Sequence, residues 1–172
     1  ETLAAAVQAS FHRIQCTPDL MPNDIVGTQI YNYGTGSFTT QLGPVHANLV
    51  LLDEINRSSA KTQSAMLEAM QGRQTSIGGV EYKLPDPFMV LATQNPIEEE
   101  GTYVLPEAQM DRFLMKQVLT YPAPTEEVEI LNRISSGTQT AAITAPSVSI
   151  EDVKFLQELV AKVYVDASIK RY

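Results

Sequence analysis

Two short apolar runs, Asn48-Leu49-Val50-Leu51-Leu52 and Phe88-Met89-Val90-Leu91-Ala92-Thr93, constrain this chain more than any other feature. Neither run alternates polar and apolar residues, and each is bounded by turn formers. That pattern belongs to strands covered on both faces, the central strands of a parallel sheet flanked by helices. In such sheets ligand chemistry collects beyond the carboxyl ends of the strands. The first run ends in Asp53-Glu54, and the second delivers Gln94-Asn95-Pro96 to its end.

The segments around these runs alternate between helical and extended patterns. Thr2 to Ala9 reads as a helix, and Phe11 to Gln15 as a half-buried strand. Thr17 to Gly27 is turn-rich. Gln29 to Leu42 reads as a β-hairpin about Gly34-Thr35-Gly36, with Ile30, Tyr31, Phe38 and Leu42 as its apolar positions. Ser58 and Ser59 offer N-caps for a helix that places Met66, Leu67 and Met70 on a core-facing stripe and is stopped by Gly72. Gln74 to Leu84 is a second hairpin, turning at Gly78-Gly79 and ended by Pro85 and Pro87. A turn-rich stretch then runs through Gly101. Glu107 to Phe113 reads as a short helix and Leu114 to Leu119 as a further strand.

Tyr121-Pro122-Ala123-Pro124 breaks the alternation and marks a boundary between an α/β core, 1–121, and a helical subdomain, 122–172. Thr125 with Glu126 and Glu127 caps a helix carrying Val128, Ile130, Leu131 and Ile134. Ser135 to Ser149 is a connector rich in Ser, Thr and Ala. Ser149-Ile150-Glu151-Asp152 has the form of a capping box, opening a helix with Val153, Leu156, Leu159, Val160 and Val163 on its buried side.

Composition excludes several function classes. With 44% apolar and 19% charged residues in 172, the chain has the balance of a folded domain rather than a disordered one. Twelve Lys and Arg against 20 Asp and Glu leave a formal charge of −8, which offers no broad attraction to nucleic acid or to an anionic membrane face. No stretch approaches the roughly eighteen consecutive apolar residues of a membrane span. Cys16 stands alone, so it forms no internal disulfide and no zinc framework, and His12 and His46 are too isolated to make a metal site. The expectation is a soluble, cytoplasmic protein. Its abrupt start within an apolar segment and its end within a helix read as an excerpt from a longer chain.

Asp53-Glu54 suits a nucleotide hydrolase because two adjacent carboxylates can divide the work. Asp53 would hold Mg²⁺ through hard oxygen ligation, while Glu54 orients or deprotonates the water that attacks the γ-phosphate. Taken alone the dipeptide also fits a strand leaving for solvent. Asn95 adds a neutral amide that can bond both a phosphate oxygen and the water, although Asn-Pro is also an ordinary turn. Arg112 presents a fork of donors suited to developing phosphoryl charge, in particular that of a neighbouring subunit's nucleotide; a surface ion pair with Asp111 or Glu107 is its other reading.

The blocks RIQCTPDLMPNDIVG, GPVHANLVLLDEINR, KTQSAMLEAM, LATQNPIEEEGTYVLPEAQMDRF and YPAPTEEVEIL follow one another as they do in the MoxR-type AAA+ ATPases, which this chain resembles from Phe11 to about Leu131. The resemblance implies a P-loop NTPase core with a central parallel sheet flanked by helices, two β-hairpin inserts and part of a helical lid. It makes LVLLDE a Walker B strand, with Asp53 as the magnesium carboxylate and Glu54 as the catalytic glutamate. Asn95 is similar to a sensor 1 residue and Arg112 to an arginine finger, which implies a homo-oligomeric ring, most often a hexamer. Arg57 is a weaker interface candidate. The hairpins resemble the helix-2 insert and the pre-sensor-1 hairpin, elements that face a ring's pore or partner surface.

The implied cofactors are ATP and Mg²⁺. The implied role is chaperone-like remodelling or maturation of a client protein, including cofactor or metal insertion, often with a von Willebrand factor A-domain partner. No G-x-x-x-x-G-K-[ST] loop occurs in the sequence. The family places that loop just before Thr2 and a sensor 2 arginine beyond Tyr172. Lys61-Thr62 is no substitute, since it lies at a helix start with no glycine-rich turn before it. Without the loop the chain alone is expected to be inactive. A degenerate, non-hydrolysing scaffold and a magnesium-chelatase-like ring subunit are the alternatives.

Overall fold

The computed structural model describes residues 1–95, 103, 105–137 and 148–171. The stretch leading to Gly101 and most of the Ser135 to Ser149 connector lie outside the described residues, as does Tyr172.

A parallel sheet in the order β1-β4-β7 carries the site. Its strands are β1 (Phe11–Gln15), β4 (Leu49–Asp53) and β7 (Met89–Ala92), with Gln15 opposite Asp53 and Leu52 opposite Ala92. A helix α1 (Thr2–Ala6), shorter than its helix-forming sequence, precedes β1. In β4 Leu49, Val50 and Leu52 are buried, so the run without alternation is covered on both faces as expected. The sequence of β7 reads as a central strand, yet among the described residues it lies at the sheet's edge, with Met89 44% and Leu91 40% exposed. An apolar run reports that a strand can be covered, whereas coverage needs neighbours on both sides.

Asn48 fixes the opposite, amino end of the sheet. Its Oδ1 accepts from Ser10 N–H at 3.2 Å and Ser10 Oγ at 2.9 Å, and its Nδ2 donates to the Pro87 carbonyl at 2.9 Å. One buried amide therefore bonds the segments entering all three strands, which sets the register in which their carboxyl ends align.

The two hairpins form as the turn signals imply. The first is β2 (Gly27–Asn32) with β3 (Ser37–Leu42), and the second β5 (Gln74–Ile77) with β6 (Val80–Lys83). They touch each other, with Tyr82 Oη donating to Thr40 Oγ1 at 2.9 Å. Before β2 the turn-rich stretch contains a short helix α2 (Pro22–Val26), favoured by Pro at its first position and by the Asp24 carboxylate accepting the Met21 N–H at 2.8 Å.

Where this helix meets the first hairpin the backbones are very close. A Cβ on Gly43 would lie 2.2 Å from the Ile25 carbonyl oxygen and 2.6 Å from the Gly27 nitrogen. Because backbone cannot rotate aside, Gly43→Ala is expected to destabilise the fold by about 1–3 kcal/mol, measurable as a lower denaturant midpoint at unchanged slope.

Helix α3 (Ala60–Gly72) follows β4, with the Ser59 hydroxyl accepting from Thr62 N–H at its start. Met66 and Leu67 are buried and Met70 packs on the core, so the stripe serves packing. The left-handed residue that ends the helix is Arg73 at φ 51°, one position beyond the glycine expected to stop it. Ile14, Cys16, Ile25, Val50, Leu52 and Phe88 belong to the core beneath the sheet. Burial pushes the Cys16 thiol up to about 11, which keeps it protonated and inert at neutral pH.

The expected helix after the second apolar run is reduced to α4 (Glu107–Met110). The expected strand Leu114 to Leu119 is absent: the segment has no regular structure, and Leu114 is 98% and Leu119 89% exposed. It has strand-forming residues but no ladder partner, and an unpaired strand has no hydrogen bonds to hold it.

Three further helices follow, α5 (Pro124–Ser135), α6 (Ile150–Val160) and α7 (Ala167–Arg171). The cap of α5 is Ala123 rather than Thr125, with Pro124 as first residue and the Glu126 carboxylate accepting the Ala123 N–H at 2.9 Å. The box at Ser149 and Asp152 forms in both directions, at 2.9 and 3.1 Å. The apolar stripe of α6 is not buried as expected: Val153 is half-buried, while Leu156, Leu159 and Val160 are exposed, and Val163, expected on the same helix, lies exposed beyond its end. Amphipathic spacing gives a helix a face to cover without supplying the surface that covers it.

Candidate active site

Asp53 ends β4 and Glu54 follows it in the left-handed region at φ 56° and ψ 53°, turning the chain into a short 3₁₀ turn at Ile55–Arg57. A non-glycine residue there costs about 1–3 kcal/mol and persists only where its surroundings dictate it. Thr93, just past β7, provides that restraint. Its N–H donates to the Leu52 carbonyl and its carbonyl accepts the Ile55 N–H, both at 2.9 Å. Its hydroxyl accepts the Glu54 N–H at 2.8 Å and donates to Asp53 Oδ1 at 2.6 Å.

The other Asp53 oxygen, Oδ2, takes the Arg13 guanidinium from β1 through Nε at 3.1 Å and through Nη2. The Thr93 hydrogen bond first, and then Arg13, hold the Asp53 carboxyl below the ordinary aspartate value. Glu54 Oε2 accepts from Gln15 Nε2 at 3.3 Å and from Arg57 Nη1 at 3.2 Å. Arg57 therefore lies inside this cluster, against the catalytic carboxylate of the sequence reading.

The lowered Asp53 pKa sets a direction for pH dependence. A depressed carboxylate contributes stability that is present above its unfolded value and lost as pH falls through the folded value. Titration of the Asp53 carboxyl carbon by NMR is expected to give a midpoint below 3.8, and Thr93→Val should move it upward.

Asn95 is fixed through its backbone. Buried Asn56 donates from Nδ2 to the Asn95 carbonyl at 3.1 Å and accepts the Asn95 N–H on Oδ1 at 3.4 Å. The structure thus brings Asp53, Glu54 and Asn95 to one end of one sheet, bridged by Thr93 and Asn56. Arg112 is not part of this cluster. It follows α4, is exposed, and donates from Nη1 to the Leu67 carbonyl of α3 at 3.3 Å. There it lines a shallow cleft with Ser64, Glu68, Gln71 and Gln109.

Sequence reading missed Thr93, Arg13, Gln15 and Asn56. A polar residue closing an apolar run was a usable signal for Thr93, and a cation in the middle of a strand one for Arg13. Nothing local marked Asn56. The histidines stand apart: His12 Nδ1 donates to the Pro44 carbonyl at 2.8 Å, and His46 Nε2 pairs with Thr75 Oγ1 at 3.0 Å. Buried Thr62 donates to the Leu20 carbonyl at 2.7 Å, a structural bond consistent with excluding Lys61-Thr62 as a phosphate motif.

Among the described residues no three acidic, His or Cys side chains gather into a metal cage. A lone aspartate flanked by hydroxyl and carboxylate oxygens fits Mg²⁺, which is usually held by one or two carboxylates together with waters and substrate phosphates. Asp53 would be that ligand.

The central parallel sheet flanked by helices is that of the P-loop NTPase fold. A family model for ATPases associated with various cellular activities matches residues 1–115, and the chain belongs to the MoxR-type branch of these AAA+ ATPases. It is 51% identical to Chaperone MoxR1 of Mycobacterium tuberculosis (strain ATCC 25618 / H37Rv) over 100% of this chain and 45% of that protein. It is 49% identical to the uncharacterized protein YeaC of Bacillus subtilis (strain 168) over 99% of this chain and 53% of that one. The crystal structure of a "putative ATPase" from Cytophaga hutchinsonii superposes with TM-score 0.85 at 49% identity, covering 99% of this chain and 52% of the other. The chain thus spans about half the length of these relatives.

Proposed function

We propose that the full-length protein hydrolyses ATP at the cluster around Asp53 and uses the cycle to remodel or mature a client protein. The observation carrying this reading is that Asp53-Glu54 and Asn95 follow the same ends of two adjacent parallel strands, with Thr93 bonded to both carboxylate residues and Asn56 bonded to the Asn95 backbone. Asp53 would hold Mg²⁺, directly or through its waters, and the bound ion would neutralise charge on the phosphate oxygens. Glu54 orients the attacking water and takes its proton. Asn95 donates to the γ-phosphate and steadies the water without adding charge beside the carboxylates. Arg112, remote from its own subunit's cluster and exposed, completes the site of a neighbour, so the active form is a homo-oligomeric ring, most often a hexamer in this superfamily.

The name of the relative Chaperone MoxR1 supports the client-directed role; maturation by cofactor or metal insertion, and a von Willebrand factor A-domain protein as partner, extend the proposal from the family resemblance alone. Residues 1–121 form the nucleotide core and 122–172 part of the lid, a division supported by the capped, amphipathic α5 and α6. No described helix is long and apolar enough to cross a membrane; the lone cysteine is compatible with a reducing, cytoplasmic site of action.

Phosphate release by the full-length protein tests the reading. Turnover is expected to require Mg²⁺, to vanish with EDTA and to return on adding Mg²⁺ back. Turnover that survives chelation would contradict Asp53 as a magnesium ligand.

A further inference from the structure

We propose that Thr93 is a positioning residue of the hydrolytic site, its single hydroxyl joining the metal-binding carboxylate to the backbone of the water-activating glutamate. The inference rests on the reading of Asp53 and Glu54 given above, and deepens it.

Hydroxyl chemistry fixes the direction of both bonds. A backbone N–H can only donate, so Thr93 Oγ1 accepts from Glu54 at 2.8 Å. Its one hydrogen then remains for Asp53 Oδ1 at 2.6 Å, a short bond to a charged acceptor. Neither end is free to adjust, because Thr93 is bonded through its own backbone to Leu52 on one side of the dipeptide and to Ile55 on the other. With Arg13 on Oδ2, the carboxylate is held from two directions and its remaining lone pairs face a defined region. The same hydroxyl satisfies the N–H of the left-handed residue Glu54, so the placement of one carboxylate and the backbone turn at the other depend on one oxygen.

Partners one step removed from a metal ligand commonly change metal affinity or activity by about 10–100-fold when removed. The test uses the full-length protein with Thr93→Ala, Thr93→Val and Thr93→Ser. Two quantities are read: binding of Mn²⁺ with a non-hydrolysable ATP analogue, followed by electron paramagnetic resonance, and kcat and KM for ATP. Thr93→Ala and Thr93→Val are expected to weaken Mn²⁺ binding and to lower kcat by about 10–100-fold, with KM for ATP moved little. Thr93→Ser, which regains only the hydroxyl, is expected to recover most of the loss. Should valine prevent folding, the contrast between alanine and serine carries the test.

Melting that falls while Mn²⁺ affinity and kcat stay within about twofold of the parent would make Thr93 merely structural and overturn the proposal, as would a serine variant no better than alanine. Glu54→Gln separates the two levels. If that variant still turns over, the hydrolytic reading itself fails; if it is inactive while Thr93→Ala matches the parent, only the role of Thr93 fails.

Discussion

Full-length protein carrying Glu54→Gln is expected to bind ATP and to hydrolyse it about 10²–10⁴-fold more slowly, the range that a positioned general base contributes. The substitution changes little besides basicity. The amide keeps an oxygen that can accept from Gln15 and Arg57, the present partners of the Glu54 carboxylate. The backbone turn at φ 56° is held by Thr93 and not by the side chain. Folding and nucleotide affinity should therefore persist, so fluorescence of a bound ATP analogue and phosphate release measured on one sample separate binding from chemistry. Retained turnover would remove Glu54 from the mechanism.

Arg112→Ala is expected to have a larger effect, about 10³–10⁵-fold in kcat, the range for an arginine that stabilises transferred phosphoryl charge from a neighbouring subunit. The fold should not suffer. Arg112 is exposed and its bond to the Leu67 carbonyl is 3.3 Å long, at the edge of a cleft rather than in the core. Lysine should not rescue it, since a point charge lacks the planar fork. Mixing supplies the sharper result. Glu54→Gln and Arg112→Ala subunits are each inactive alone, yet a mixed ring contains some interfaces with an intact Glu54 on one side and an intact Arg112 on the other. Recovery of measurable turnover on mixing is expected, and none at any ratio would count against a site shared between subunits.

Sequence made the site's strands legible because their signal is local. An apolar run ending in Asp53-Glu54 and another leading to Asn95 identify strand ends without any knowledge of pairing. The hairpins were legible for the same reason, since Gly78 at φ 60° and Gly79 at φ 80° supply the turn that the Gly-Gly pair advertises. What escaped depends on register between distant segments. Arg13 reaches Asp53 across 40 positions, and Thr93 reaches it across another 40. Each residue carries a local mark, a cation within a strand and a polar end to an apolar run, but neither mark names its partner, and Asn56 differs from any turn asparagine only once the chain has folded around it. The missing strand at Leu114 to Leu119 and the uncovered stripe of α6 are the converse: local patterns were present, and the partner surfaces that turn pattern into burial were not.

Hydrolysis at the Asp53 cluster is tested most directly by a structure of the full-length protein with Mg²⁺ and a non-hydrolysable ATP analogue. The ion is expected beside the Asp53 carboxylate, the γ-phosphate within hydrogen-bond reach of Asn95, and Glu54 next to the water in line with that phosphate. Arg112 should approach the same phosphate from the adjacent subunit. Nucleotide bound elsewhere, or an ion held without Asp53, would contradict hydrolysis at that cluster.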